Sequence, residues 1–180
     1  MDSNPWVLEN KATSTMQNDS AQFDEWMHTA LEQAAAAEAM GEVPIGAVVV
    51  KTNDANPADE QIVAAAHNRR IIDADPTAHA EMIAIRAAAA ALGDWRLTGC
   101  TMVVTLEPCC MCAGAIVLAR LDRVVYGAAD PKAGAVDTLY HICNDQRLNH
   151  QVQTVGGIRR DECGKILTDF FRKQRAMGKK

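Results

Sequence analysis

Three of the six cysteines in this 180-residue chain, Cys109, Cys110 and Cys112, fall within four consecutive positions. Two nested disulfides cannot form there, because bridged cysteines need a Cα separation of roughly 4.4–6.8 Å and a specific Cβ geometry. The chain therefore does not read as a disulfide scaffold. It must be held together by a core, which leaves the clustered cysteines for metal or catalytic work in a reducing compartment. The composition can supply that core: 48% of the residues are hydrophobic, an ordinary level for a globular protein that excludes disorder throughout. The length fits one domain, or one domain with a loose end.

No stretch approaches the roughly 18 apolar residues of a membrane span, and residues 1–22 lack the apolar core and leading positive charge of a signal peptide. The expected compartment is the cytoplasm. Residues 1–22 are polar and aperiodic and read as a disordered N-terminal extension. From Phe23 the pattern changes: Phe23, Trp26, Met27, Ala30, Leu31 and Ala34 recur at helical spacing, predicting an amphipathic helix over 23–40 that stops at Gly41. The apolar runs 47–50 and 62–66 predict two strands of a hairpin, joined by a polar connection over 52–60. Asp75-Pro76-Thr77 predicts a helix start, with Gly93 as the stop after Leu92. Strands follow at 101–106, 123–126 and 152–155, with helices from Pro108 to Ala119, over 137–146 and from Arg159 onward. The expectation is an α/β fold over 23–180, a three-layer α/β/α sandwich around a mixed five-stranded sheet. Its later strands run parallel because helical crossovers join them.

The chemistry sits in two short words, His79-Ala80-Glu81 and Pro108-Cys109-Cys110-Met111-Cys112. On a helix Cys109 and Cys112 point about 60° apart, within reach of one ion. Pro108 suits a helix start, where the dipole and free N–H groups favour thiolates. Two thiolates and one imidazole suit Zn²⁺, and a count of three ligands leaves the position that a catalytic site keeps open for water. Glu81 then supplies a carboxylate able to take a proton from that water. Residues two apart on a regular helix point in nearly opposite directions, so His79 and Glu81 must occupy an irregular first turn facing the thiolates. Two other readings stand beside this one. A lone C-x-x-C is equally a redox pair. A fourth ligand from Cys110, Cys100 or Cys143 would instead make a closed structural site, although Cys110 should point about 100° away from Cys109. The combination is the more specific signal: H-x-E followed about 30 residues later by P-C-x-x-C is the zinc deaminase signature.

With GEVPIGAVVV, AHNRR, DPTAHAE, LTGC, TLEPCCMCAGAI, RVVYGAADPKAGAV, Asn149-His150 and the DFF at 169–171, the chain resembles the cytidine/deoxycytidylate deaminase superfamily. Within it, the chain resembles the tRNA-specific adenosine deaminases, from about residue 23 to 176. Cys110 stands where that family's pattern has valine, a small change because a buried thiol and valine are similar in size. The resemblance implies one zinc ion per subunit held by His79, Cys109 and Cys112, with Glu81 as the proton shuttle. It implies hydrolysis at C6 of a flipped-out adenine, releasing ammonia and leaving inosine, at the wobble position of a tRNA anticodon stem-loop. It places the base against the backbone around Ala80 and the amide of Asn68, puts Asp130 and Lys132 near the ribose and phosphates, and implies a homodimer. From sequence alone Asn68 is equally a turn residue after a strand, and Asp130 equally an ordinary Asp-Pro turn. The competing functions are deamination of a free base or nucleotide such as guanine or cytosine, and a zinc-stabilised RNA-binding module in which Glu81 is incidental.

The formal net charge of −5 argues against a uniformly phosphate-binding surface, but its distribution is uneven. Residues 1–42 hold one basic and eight acidic side chains, whereas residues 159–180 hold eight basic and three acidic. The last helix, carrying Arg172, Lys173, Arg175, Lys179 and Lys180 beyond Phe170-Phe171, has the charge to follow a phosphate backbone. An aromatic there, Phe171 in particular, can stack on a splayed base. The plainer reading is a solvated face with phenylalanines in the core, which holds for at least one of the two rings.

Overall fold

A β-branched run in the first third of the chain forms a buried strand on which two layers pack. Strand β1 (Gly46–Lys51) is buried at every position but its last. Ala47 and Val49 face one layer while Val48 and Val50 face the other, as the two-residue period of a strand requires. The computed structural model describes residues 11–51 and 60–178. Its elements run α1 (Lys11–Ala39), β1, β2 (Gln61–His67), α2 (Ala80–Leu92), β3 (Cys100–Leu106), α3 (Cys110–Leu118), β4 (Arg123–Ala128), β5 (Gln153–Gly156) and α4 (Arg160–Ala176). The sheet order is β2-β1-β3-β4-β5. β1 is antiparallel to both β2 and β3, whereas β3, β4 and β5 run parallel. This is the mixed five-stranded α/β sandwich expected from the sequence.

One face of the sheet is covered by α1 and α4: Phe23, Trp26, Met27, Ala30 and Leu31 meet Val48, Val50, Val103 and Val125, with Cys163 of α4 among them. The other face is covered by α2 and α3 through Ala80, Ala84, Ala88, Ala113, Ile116 and Val117. The alanines of α2 keep that layer close to the strands. On the opposite face the close approach falls at Gly46, where a Cβ would run into the α1 backbone at Ala30 and Ala34. The Gly46 N–H instead reaches across to Thr105 Oγ1 at 3.2 Å.

Three boundaries differ from expectation. Helix α1 begins at Lys11 rather than Phe23, so residues 11–22 are helical where disorder was predicted. No Gly or Pro interrupts 11–39, and extension costs little once the docked part has nucleated. Residues 1–10 of the expected extension, and positions 52–59 of the expected connection, lie outside the described residues. Helix α2 starts at Ala80, not at Asp75, because the Asp75 carboxylate takes the Thr77 N–H and hydroxyl, both at 2.7 Å, and closes a separate turn. The helix expected over 137–146 is a chain of turns with one short 3₁₀ segment, Ile142–Asn144. The N–H groups of Val136, Asp137 and Thr138 are bound by the Glu107 carboxylate instead of serving a helix.

Candidate active site

Both chemical words lie where a helix follows a strand or its loop, on the same face of the sheet. His79 is the residue before α2, in extended conformation (φ −75°, ψ 150°), and Glu81 lies in the first turn. The break in helical geometry at His79 lets two residues of opposite helical direction serve one site. Cys109 plays the matching part before α3, also extended (φ −74°, ψ 175°), and Cys112 follows within the first turn. The His79 Nδ1 lies 3.8 Å from Cys109 Sγ and 3.6 Å from Cys112 Sγ, and all three ligand atoms fall within 4.8 Å of one another. A zinc ion bound to sulfur and to nitrogen at ordinary lengths and a tetrahedral angle sets N···S separations of about 3.6 Å. The three side chains therefore fit such an ion. Among the described residues no fourth His, Cys, Asp or Glu joins the group. Cys100 and Cys143 are buried in the core, and Cys110 is exposed.

Hydrogen bonding and burial shift the proton affinities of these groups. The Cys109 thiol is pushed down to about 3, first by the hydrogen bond from Cys112 and then by that from His79, against the opposing effect of burial. Cys112 moves the opposite way, raised first by its hydrogen bond with Cys109 and then by burial. His79 is raised above its ordinary value by the Cys109 hydrogen bond. Glu81 is only 4% exposed, and burial raises its carboxyl above the ordinary carboxylate range. A carboxyl with raised proton affinity beside an imidazole and two sulfurs is equipped to carry protons.

The remaining predicted residues fall into two groups. Asn68, 1% exposed, accepts the Ala80 N–H on Oδ1 at 2.9 Å. It thus satisfies a free N–H of the α2 start and ties the end of β2 to the His79-Ala80-Glu81 turn. The Ala80 N–H is thereby committed to Asn68. Asp130, Lys132 and Phe171 come together elsewhere, lining a cleft of about 550 Å³ with Leu106, Leu167 and Arg175. The Asp130 carboxylate accepts the N–H groups of Lys132 (2.8 Å) and Ala133 (3.2 Å), so it does build the plain turn weighed above. Phe170 is buried at 5% exposed, while Phe171 is 44% exposed. Phe171 also lines a neighbouring cleft of about 810 Å³ with Gly41, Val43, Ile71 and Arg175. Sequence reasoning missed two buried carboxylates that shape these loops. Glu42 accepts the N–H groups of Ile71 (2.6 Å) and Ile72 (2.9 Å), and Glu107 binds the loop that carries Asp130. The available signal was an acidic residue directly beside a Gly or Pro at the edge of an apolar run, in GEVPIG and TLEPCC.

A five-stranded α/β/α sandwich with a His-Cys-Cys group and a buried glutamate at its helix starts defines a deaminase of the cytidine deaminase-like class. Residues 21–175 match the family model for MafB19-like deaminases. The chain is 49% identical over 150 residues to a tRNA-specific adenosine deaminase of Bacillus subtilis, covering 83% of this chain and 89% of that one. It is 45% identical over 156 residues to the enzyme of the same description from Haemophilus influenzae, covering 86% and 87%. A solved structure from work on A-to-I editing by tRNA:A34 deaminases at the wobble position of transfer RNA matches with a TM-score of 0.73 and 42% identity, covering 79% of this chain and 99% of that one. The chain belongs to the tRNA-specific adenosine deaminase family.

Proposed function

We propose that this protein hydrolyses adenosine to inosine at the wobble position of a tRNA anticodon loop, using a zinc ion held by His79, Cys109 and Cys112. The observation that carries the proposal is the meeting of the His79 imidazole with both sulfurs beside the buried Glu81 carboxylate. It occurs in a chain whose relatives are named tRNA-specific adenosine deaminases. When bound, the ion supplies Lewis-acid activation of water.

The chain's own groups do the rest. Glu81, ionised, accepts a proton from the attacking water and returns it to N1 of the adenine. The oxygen adds at C6, the C6–N bond breaks, and ammonia leaves with the second water proton, so adenosine and water become inosine and ammonia. Burial raises the proton affinity of Glu81, which lets it hold the proton between the two transfers. Asn68 keeps its Oδ1 on Ala80 and offers its amide NH₂ to the base. We assign Asp130 and Lys132 to the ribose and phosphates, and the exposed Phe171 ring to stacking on a flanking base. A homodimer and a cytoplasmic location complete the proposal. Exposed Leu118 and Tyr140 offer apolar surface to a second copy, and no helix among the described residues is long and apolar enough to cross a membrane.

The test incubates the purified protein separately with an anticodon stem-loop carrying adenosine at the wobble position, and with free adenosine, guanine and cytosine. Inosine and ammonia are measured. We expect product from the stem-loop; turnover of a free base alone overturns the RNA assignment.

A further inference from the structure

Between the end of β3 and Pro108 lies a carboxylate with no part in the chemistry above. Glu107 is 2% exposed, yet its two oxygens accept from five donors of a single loop. Oε1 takes the N–H groups of Val136 (3.2 Å), Asp137 (2.8 Å) and Thr138 (2.9 Å). Oε2 takes the Asp130 N–H at 3.0 Å and the Thr138 hydroxyl. Residues 130–138 are fastened nearby as well. Ala135 N–H donates to the Pro108 carbonyl at 2.8 Å, Gly134 bridges to Cys109, and the Tyr126 hydroxyl donates to Asp137 at 2.9 Å. Gly134 has no side chain where a Cβ would strike the Glu107 carboxylate. One residue thus binds both ends of the loop carrying Asp130 and Lys132, two positions before Cys109.

We infer that Glu107 is a positioning residue for substrate, fixing the Asp130–Lys132 turn relative to the Cys109 start of α3. The ribose and phosphates are then held in register with the base at Glu81. This rests on the RNA substrate proposed above. The hydrogen-bond pattern makes the role separable from general stability. A glutamine at 107 keeps one oxygen for Val136, Asp137 and Thr138, and its NH₂ can donate to the Thr138 hydroxyl. At Asp130, however, it sets two N–H groups against each other, so the substitution releases the Asp130 limb selectively.

The experiment measures kcat and KM on the anticodon stem-loop for wild type, Glu107→Gln, Asp130→Ala and the double variant, together with zinc content and amide hydrogen exchange. Glu107→Gln should keep zinc at the wild-type ratio, raise KM roughly tenfold and leave kcat within about twofold. It should add nothing further in the Asp130→Ala background, because both changes act through one turn. Amide exchange at Asp130 and through its turn to Gly134 should accelerate while that of Val136, Asp137, Thr138 and β3 stays unchanged. An unchanged KM, effects that multiply in the double variant, or a loss explained by missing zinc overturns the inference. If Glu107→Gln does not fold, Thr138→Val removes one Oε2 donor and must raise KM in the same direction; a wild-type KM there overturns it. An inactive wild type sinks the RNA assignment instead, and the exchange pattern still decides for or against Glu107.

Discussion

Glu81 shows how much two residues of sequence can say and where they stop. The H-x-E spacing places imidazole and carboxylate on opposite sides of a regular helix, and only the extended backbone at His79 turns both into one site. That break is encoded locally by Asp75, whose carboxylate captures Thr77 and delays the helix to Ala80. Because Glu81, the proposed proton carrier, lies outside the three-residue group, its removal should separate chemistry from metal binding. Glu81→Ala should retain metal by elemental analysis yet lose ammonia release by about 10²–10⁴-fold or more, the range of general acid–base catalysis. Unchanged turnover would remove Glu81 from the mechanism. Asn68 and Asp130 carry a subtler lesson. Each was legible as either turn-former or substrate contact; Asp130 closes its own turn, whereas Asn68 ties the end of β2 to Ala80 across the site.

The helices differ in how far periodicity reveals them. In α1 the docked stripe Phe23, Trp26, Met27, Ala30 and Leu31 was readable, because burying each large apolar side chain contributes roughly 1.5–3 kcal/mol. The extension back to Lys11 was not, since it has no such stripe. In α4 the pair Phe170-Phe171 divides as adjacent helical residues must: one ring enters the core and the other stays exposed, edge to face with centroids 5.4 Å apart. The positive charge of α4 is partly engaged within the protein. Lys173 pairs with Glu38 at 2.7 Å, and Arg172 pairs with Asp169. Both pairs are solvent-accessible and weakly held, so a polyanion can compete for these side chains. Truncation after Phe171 should weaken stem-loop binding and flatten its salt dependence, measured as log K against log salt. Equal affinity and slope with and without the tail would assign the basic residues to solvation alone.

For the molecule as a whole, the His79, Cys109 and Cys112 group brings together the helix starts of two successive strand–helix units. β2 and β3 flank β1 in the sheet, which sets α2 and α3 side by side on one face with their starts together. An ion held by His79, Cys109 and Cys112 therefore clamps the native sheet order and has no preformed site in the unfolded chain. Chelation should lower the melting temperature of the purified protein, by linkage of binding to folding. It should also raise the number of fast-reacting thiols from the exposed Cys110 alone to include the half-buried Cys109, whose thiol is pushed down. Cys143 and Cys163, buried and with thiols pushed up to about 12, should stay silent until the chain unfolds. An identical melting curve and thiol count after complete metal removal would exclude the clamp. The amino-acid order already carried the periodicity of most elements, the α/β class and the side chains of a possible metal group. All of these follow from local dihedral preference and from which side chains can do the chemistry. Contacts between distant residues needed the folded chain: the 3.6 and 3.8 Å approaches of His79 to sulfurs some 30 residues away, and the seizure by Glu107 of the N–H groups that 137–146 would have spent on a helix. Backbone donors go to whichever acceptor the tertiary structure brings closest, and no local pattern records that competition.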